Sequence, residues 1–327
     1  TPPTFTVPAD ITIYKDATCN YDANVTITGD VTDEADNCDT SLDATFTDAV
    51  VAGTCEGEEI ITRTWTLTDD CGNTTTHIQI ITVRDTTPPT FTVPDDITIC
   101  RDINGIYDRD VTNTGDVTDE ADNCDTSLDA IYTDSDADMG TVDAVGYITR
   151  TWSLTDDCGN VTTHDQIIWV QPVPRISVTV PDTLFCNGST IDFAIDSLVI
   201  SRGEVMYDLH VTYPAGISGT LSDGQRQIIN ISDLLTNSTD SYQTVTYRFR
   251  PYIQGKPGDP TCLNGVEVII LIHVEPTARV ALTLADNELC NGESVNIQLS
   301  TVTTPYRGIE FNVDAINDYP EISGYTD

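Results

Sequence analysis

Basic residues are scarce: 14 Lys and Arg stand against 53 Asp and Glu in 327 residues, a formal net charge of −39. A field of that sign repels phosphate backbones and anionic lipid surfaces, so nucleic acid is not an expected partner. Long apolar runs are missing too. No stretch approaches the roughly 20 apolar residues of a membrane-spanning helix, and direct membrane insertion is not expected. No sustained 3.6-residue apolar period is present, which excludes a helical bundle. His77, His164, His210 and His273 are the four histidines, and none stands in a nucleophile or metal motif. The absence of CxxC argues against zinc. An enzyme is therefore not expected.

What the chain does have is repetition. Gly29 to Ala44, GDVTDEADNCDTSLDA, recurs unchanged from Gly115 to Ala130. TPPTFTVP opens at Thr1 and again at Thr87, and ITRTW and LTDDCGN each appear twice after a one-residue insertion. A period of about 86 residues suits a self-contained domain better than a solenoid unit. A second unit follows: Arg175 to Ile195 is echoed by Arg279 to Leu299, and YPAGISG (213–219) returns as YPEISG (319–324). The modules expected are 1–86, 87–172, 173–276 and the start of another at 277–327. The chain reads as a window of a longer polypeptide.

Ten cysteines without a His-rich cluster point to an oxidising compartment. Cys38 and Cys71 persist as Cys124 and Cys158, which predicts Cys38–Cys71 and Cys124–Cys158 bridges inside each copy. Cys19 and Cys55 are lost together from the second copy, which predicts that they bond each other. Cys186 is paired with Cys262, Cys290 is left to a partner beyond Asp327, and Cys100 remains as a free thiol.

Alternating Thr, Val, Ile and Tyr, as in Ile60 to Leu67 and His77 to Val83, predict strands. Turn signals and a central Trp in each copy (Trp65, Trp152) suggest two-sheet sandwiches of about seven strands. The tryptophans are expected in the core rather than stacked on sugars. The fold expected is all-β, with tandem Ig-like β-sandwich modules arranged as an elongated rod, joined by short stiff linkers at Thr86 to Pro89, Gln171 to Pro174 and Glu275-Pro276.

TPPTFTVP, DITI, TDEADNC, ITRTWTLTDDCGN and a last strand ending ITVRD resemble HYR-like immunoglobulin-fold repeats of large surface proteins in the Bacteroidetes. The Arg175 to Ile195 segment and its copy resemble the PKD-like modules that accompany them. Gliding-motility adhesins and similar giant proteins exported by type IX secretion share a resemblance to these motifs. The resemblance implies an extracellular, cell-surface stalk or adhesive repeat region whose partners are neighbouring modules and a surface ligand such as a polysaccharide. A non-catalytic spacer or carbohydrate-binding region of a secreted polysaccharide-degrading enzyme is the alternative. The resemblance also points to O-glycosylation at Asp-Ser/Thr-apolar-or-Thr strings, at Thr86, Thr183 and Ser197.

The acidic loops carry the one candidate cofactor. Dense hard oxygens suit calcium, which takes six to eight of them. The expected ligands are Asp33, Asp36, Asp69 and Asp70 in the first copy and Asp119, Asp122, Asp156 and Asp157 in the second. Asp85 in the linker is expected to share an ion with the loops of the second copy and stiffen the joint.

Overall fold

The computed structural model describes residues 1–139, 141–285, 288, 290 and 292–313. The YPEISG echo at 319–324 lies outside them. The described chain is all-β apart from two single helical turns.

In the first repeat, β1 (Thr4–Thr6) and β2 (Ile11–Tyr14) precede α1 (Val25–Thr28), followed by β3 (Thr32–Ala35), β4 (Thr45–Ala52), β5 (Glu59–Thr68) and β6 (Thr74–Arg84). The strand order β2-β6-β5-β4 makes one sheet, and β1 pairs with β3 apart from it. β5 is central, with Trp65 opposite Phe46 of β4 and His77 of β6. Its alternation places Ile61, Arg63, Trp65 and Leu67 inward, the period-2 pattern of a half-buried strand. Six strands form instead of about seven. Between β2 and β3 the Asn24 side chain caps Thr26 N, and Gly29, at φ 91, ends the turn, so Val25 to Thr28 coil once.

The second repeat has the same series: β7 (Thr90–Thr92), β8 (Ile97–Cys100), α2 (Val111–Thr114), β9 (Thr118–Ala121), β10 (Ile131–Ser135), β11 (Gly146–Thr155) and β12 (Val161–Gln171). Trp65 and Trp152 are each 1% exposed, packed with Phe5 and Leu67 and with Phe91 and Leu154 respectively. Neither ring is available to a sugar.

The central strand of each repeat buries an arginine. Arg63 is 1% exposed; it donates to Asp48 twice at 2.8 Å, to Thr28 Oγ1 and to the Ala23 carbonyl, both at 2.7 Å. Its guanidinium lies 4.1 Å from the Phe46 ring centroid. Arg150 repeats this with Asp134, Thr114 and Tyr132. A buried guanidinium is tolerated because its donors are met. Arg150→Ala strands the partners and opens a void, and is expected to cost about 3–5 kcal/mol in chemical denaturation. The exposed Arg84→Ala is expected to cost about 0.5 kcal/mol or less.

The third module comprises β13 (Ile176–Thr179), β14 (Leu184–Phe185), β15 (Thr190–Ser197), β16 (Glu204–Thr212), β17 (Ile217–Ser218), β18 (Gly224–Gln227), β19 (Ile231–Leu234), β20 (Thr236–Asn237), β21 (Gln243–Gln254) and β22 (Val268–Val274). A sheet ordered β13-β15-β19 and another ordered β14-β22-β21-β16-β18 enclose a core built on Phe193, Tyr207, Tyr247 and Phe249. Asp233, fully buried, accepts from Tyr213 and Tyr247 at 2.6 Å, from Thr220 N at 2.6 Å and from Leu221 N at 3.2 Å. Beyond this module, β23 (Ala281–Leu284) pairs with β24 (Ile297–Ser300).

Contacts cluster the chain into two compact units. One is Thr1–Ile97, Asp108–Met139 and Tyr147–Trp169; the other is Thr98–Tyr107, Gly140–Gly146 and Val170–Asp327. Both repeats thus lie largely in the first unit.

Candidate functional site at the joint between the repeats

The linker leaves β6 between two loops of the first repeat. Lys15 N donates to the Arg84 carbonyl at 2.9 Å, which brings the Asp16–Asn20 loop alongside. Asp16 Oδ1 gathers that loop, accepting from Thr18 N, Thr18 Oγ1 and Asn20 N. These donors, the Thr18 hydroxyl foremost, hold the Asp16 carboxyl below its ordinary range. Cys19 sits there at φ 60, a left-handed conformation that favours glycine. The second repeat has Gly105 at the matching position, at φ 82. The other loop carries Cys55 and Gly57, and a Cβ on Gly57 would stand 2.3 Å from Asp85 Cβ, so the close approach requires glycine.

The second repeat presents two loops to this end. Asp122 Oδ2 accepts from Cys124 N at 2.8 Å and Asp125 N at 3.0 Å, shaping the DNCD turn. Asp156 accepts from Asn160 N and Nδ2, both at 2.7 Å, closing the TDDCGN hairpin. Asn123 Nδ2 reaches the Asp16 carbonyl at 3.0 Å and Asp85 Oδ1 at 3.3 Å, and Asn160 Nδ2 reaches the Asp85 carbonyl at 3.4 Å.

Two disulfides close this joint. Cys19 bonds Cys124 and Cys55 bonds Cys158, with Cα separations of 5.0 and 5.2 Å, ordinary for a disulfide. A third bond joins Cys100 to Cys262. These replace the expected pairs. Cys19–Cys55 does not form, because each cysteine sits on its own loop beside the departing strand and faces a different loop of the next repeat. Cys124–Cys158 does not form because both are taken. Cys38 and Cys71 stay free and exposed rather than bonding each other. Cys186–Cys262 gives way to Cys100–Cys262: Cys186 is exposed, whereas Cys262 is 1% exposed beside the segment held by Asn264 Nδ2 on the Arg101 carbonyl and by Thr98 on Asp259. Cys100 is therefore not a free thiol. Cys290 is free and exposed.

The expected carboxylates divide into those the joint gathers and those it does not. One oxygen each from Asp85, Asp122 and Asp156 lie within 4.8 Å of one another, and Asp85 and Asp156 are only 7% and 5% exposed. Asp122 Oδ1 is buried without a hydrogen-bond partner. A second group joins Asp157 to Glu56 and Asp125. Sequence alone does not single out Glu56, because it lies in the repeat that donates the linker, 69 residues from Asp125 and without a repeated counterpart. Asp33 and Asp119 stand outside both groups, each at φ 58, with carboxylates accepting from Thr6 and Thr92 respectively. Asp36, Asp69 and Asp70 form no such group among the described residues. Asn73 above all holds the Asp69 carboxyl below its ordinary range.

The histidines have structural contacts. His77 and His164 pack edge-on to Phe5 and Phe91, His210 pairs with Asp223 at 2.6 Å, and His273 meets Thr244 at 2.9 Å. Thr86 and Thr183 are exposed; Ser197 is exposed with its hydroxyl donating to the Val199 carbonyl at 2.9 Å. No helix among the described residues is long and apolar enough to cross a membrane.

No family model and no curated protein matches the chain. Among solved structures it is similar to human CDH23 EC21-23, at 11% identity over 84% of this chain and 100% of that one, with a TM-score of 0.37. Titin domains I67-I69 align at 6% identity over 84% and 98%, TM-score 0.36. The protocadherin GammaB4 extracellular domain aligns at 14% identity over 92% of this chain and 54% of that one, TM-score 0.38. Each is a string of β-domains, and no ligand or partner carries over from them.

Proposed function

We propose that this chain is a structural stalk or adhesive repeat region of a large extracellular protein, in which successive Ig-like modules are locked end to end. The observation that carries this reading is the pair of disulfides between the repeats, flanking a buried carboxylate cluster. A tether between independent domains needs neither, whereas a rod that transmits or resists force gains from both. Disulfides at this density belong to an oxidising compartment. The TPPTFTVP, TDEADNC and TDDCGN motifs support the finer assignment to HYR-like and PKD-like modules of type IX-secreted, gliding-type surface proteins of the Bacteroidetes, with a polysaccharide as one class of surface ligand.

A cation belongs to the same reading. The Asp85, Asp122 and Asp156 oxygens fit calcium by chemistry, since close carboxylates repel unless a cation or protons intervene, and the partnerless Asp122 Oδ1 supplies an oxygen in want of a ligand. Calcium is expected to raise the Tm of the full chain by a few degrees, because an ion bound only by the folded state adds stability by mass action. Asp122→Asn is expected to abolish the rise, and Asp165→Asn, on an exposed strand face, to leave it intact. An unchanged Tm on moving from EDTA to millimolar calcium would remove the ion from the joint and leave the disulfides.

Thr86, exposed in the linker, is the best placed of the three hydroxyls for a glycan. Mass spectrometry of protein from its native source is expected to find hexose-containing mass on the Thr86 peptide; full recovery of the bare peptide would retire that assignment.

A further inference from the structure

The first repeat carries the same two loops that receive the linker in the second. Its Asp36 Oδ2 accepts from Cys38 N at 2.7 Å, as Asp122 Oδ2 does from Cys124 N at 2.8 Å. Its Asp39 Oδ2 accepts from Asp70 N at 3.0 Å, as Asp125 Oδ2 does from Asp157 N at 2.9 Å. Asn73 closes on Asp69 as Asn160 does on Asp156. Even the orphan is copied: Asp36 Oδ1 is buried and partnerless like Asp122 Oδ1. The cysteines differ in their bonding. Cys124 and Cys158 are bonded to the first repeat, whereas Cys38 and Cys71 are exposed thiols.

We propose that the face formed by Cys38, Cys71, Asp36 and Asp69 is the receiving half of a second joint, and that its partner is another module with a donor end of the first repeat's kind: an Asp-Thr linker flanked by two free cysteines. The inference rests on the joint reading above. By correspondence, the partner's Cys19-type residue meets Cys38 and its Cys55-type residue meets Cys71. An intact second copy of this chain does not fit, because its own Cys19 and Cys55 are spent on Cys124 and Cys158. The second repeat does not fit either, since Gly105 stands where the first donor cysteine would be. Each new bond joins two thiols and releases two protons and two electrons, which a small disulfide oxidant takes up as it is reduced to two thiols.

The partner can be supplied artificially. A copy of residues 1–86 placed ahead of Thr1 in the full chain recreates the native run Arg-Asp-Thr-Thr-Pro-Pro at the new junction. In the unextended chain, iodoacetamide is expected to label Cys38 and Cys71 fully. After oxidation of the extended chain with oxidised glutathione, labelling of both is expected to fall at least tenfold, and non-reducing peptide maps to show Cys38 bonded to the added Cys19 counterpart and Cys71 to the added Cys55 counterpart. If the chain's own Cys19–Cys124 and Cys55–Cys158 bonds form while Cys38 and Cys71 stay reactive, or bond each other, the receiving face is refuted and the joint reading stands. If those native bonds fail to form, the joint reading falls with it. Peptide maps of protein from its native source probe the same face without depending on the added copy folding. There Cys38 and Cys71 are expected in bonds to cysteines other than each other, and free thiols or a Cys38–Cys71 bond would overturn the inference.

Discussion

Replacing Cys124 and Cys158 by Ser in the full chain is expected to lower the first thermal transition by more than about 10 °C and to separate the melting of the two repeats. The bonds span 105 and 103 residues, and either one alone stabilises by about 4–5 kcal/mol on chain-entropy grounds. The second adds less, because the first has already drawn the repeats together and shortened the loop it closes. Calorimetry with and without reductant checks this. Reductant is expected to lower the wild-type transition of the repeats by more than it lowers that of the double variant, whose remaining bond is Cys100–Cys262. Equal Tm values for wild type and variant would mean the bonds do not constrain the unfolded chain.

The second large effect lies in the third module. Asp233→Ala leaves the Tyr213 and Tyr247 hydroxyls and the Thr220 and Leu221 N–H groups without their acceptor beside a void, and is expected to cost about 3–5 kcal/mol, or about 15–20 °C in Tm. The carboxylate's titration follows from the same contacts. Burial raises its pKa, but the two tyrosine hydroxyls and the backbone donors outweigh it, so the group is held below its ordinary range. A depressed carboxylate contributes stability that is complete above its unfolded pKa of about 3.9 and is lost as pH falls through the lower folded value. The wild-type module is therefore expected to lose stability below about pH 4 more steeply than Asp233→Asn, checked by denaturant titrations at stepped pH. Parallel curves would show that this network does not drive acid unfolding.

The strands and the core are legible in the sequence because alternation and a repeated Trp report burial directly. Trp65 and Trp152 stand where β5 and β11 require large inward side chains. Arg63 and Arg150 are not legible: in ITRTW an arginine on the inward phase looks like a break in the pattern, and only the fold brings Asp48 or Asp134 and a backbone carbonyl to it. The helical turn at Val25 to Thr28 is hidden in a β-branched run, where one capping side chain outweighs propensity.

The cysteines illustrate a different limit. Joint loss of Cys19 and Cys55 from the second copy predicts a mutual bond when a bond is the only task considered. Loss together follows equally when two residues share another task, and here the task is gripping the next repeat. Retention of Cys38 with Cys71 has the same explanation from the receiving side. A signal is present: Cys19 replaces the glycine that its left-handed turn favours, a cost of roughly 1–2 kcal/mol that a local pair would not demand. The Asp85 cluster is more accessible, because the linker and the loops that meet it are neighbours in any sandwich with ends at opposite poles. Glu56 is not legible, because only the fold sets its loop against Asp125 and Asp157.

The end-to-end locking of the repeats is tested most directly by non-reducing peptide mapping of the oxidised full chain. The account predicts peptides joining Cys19 to Cys124, Cys55 to Cys158 and Cys100 to Cys262, with Cys38 and Cys71 alkylated. Recovery of Cys19–Cys55 together with Cys124–Cys158 would confine every bond to its own repeat and contradict it.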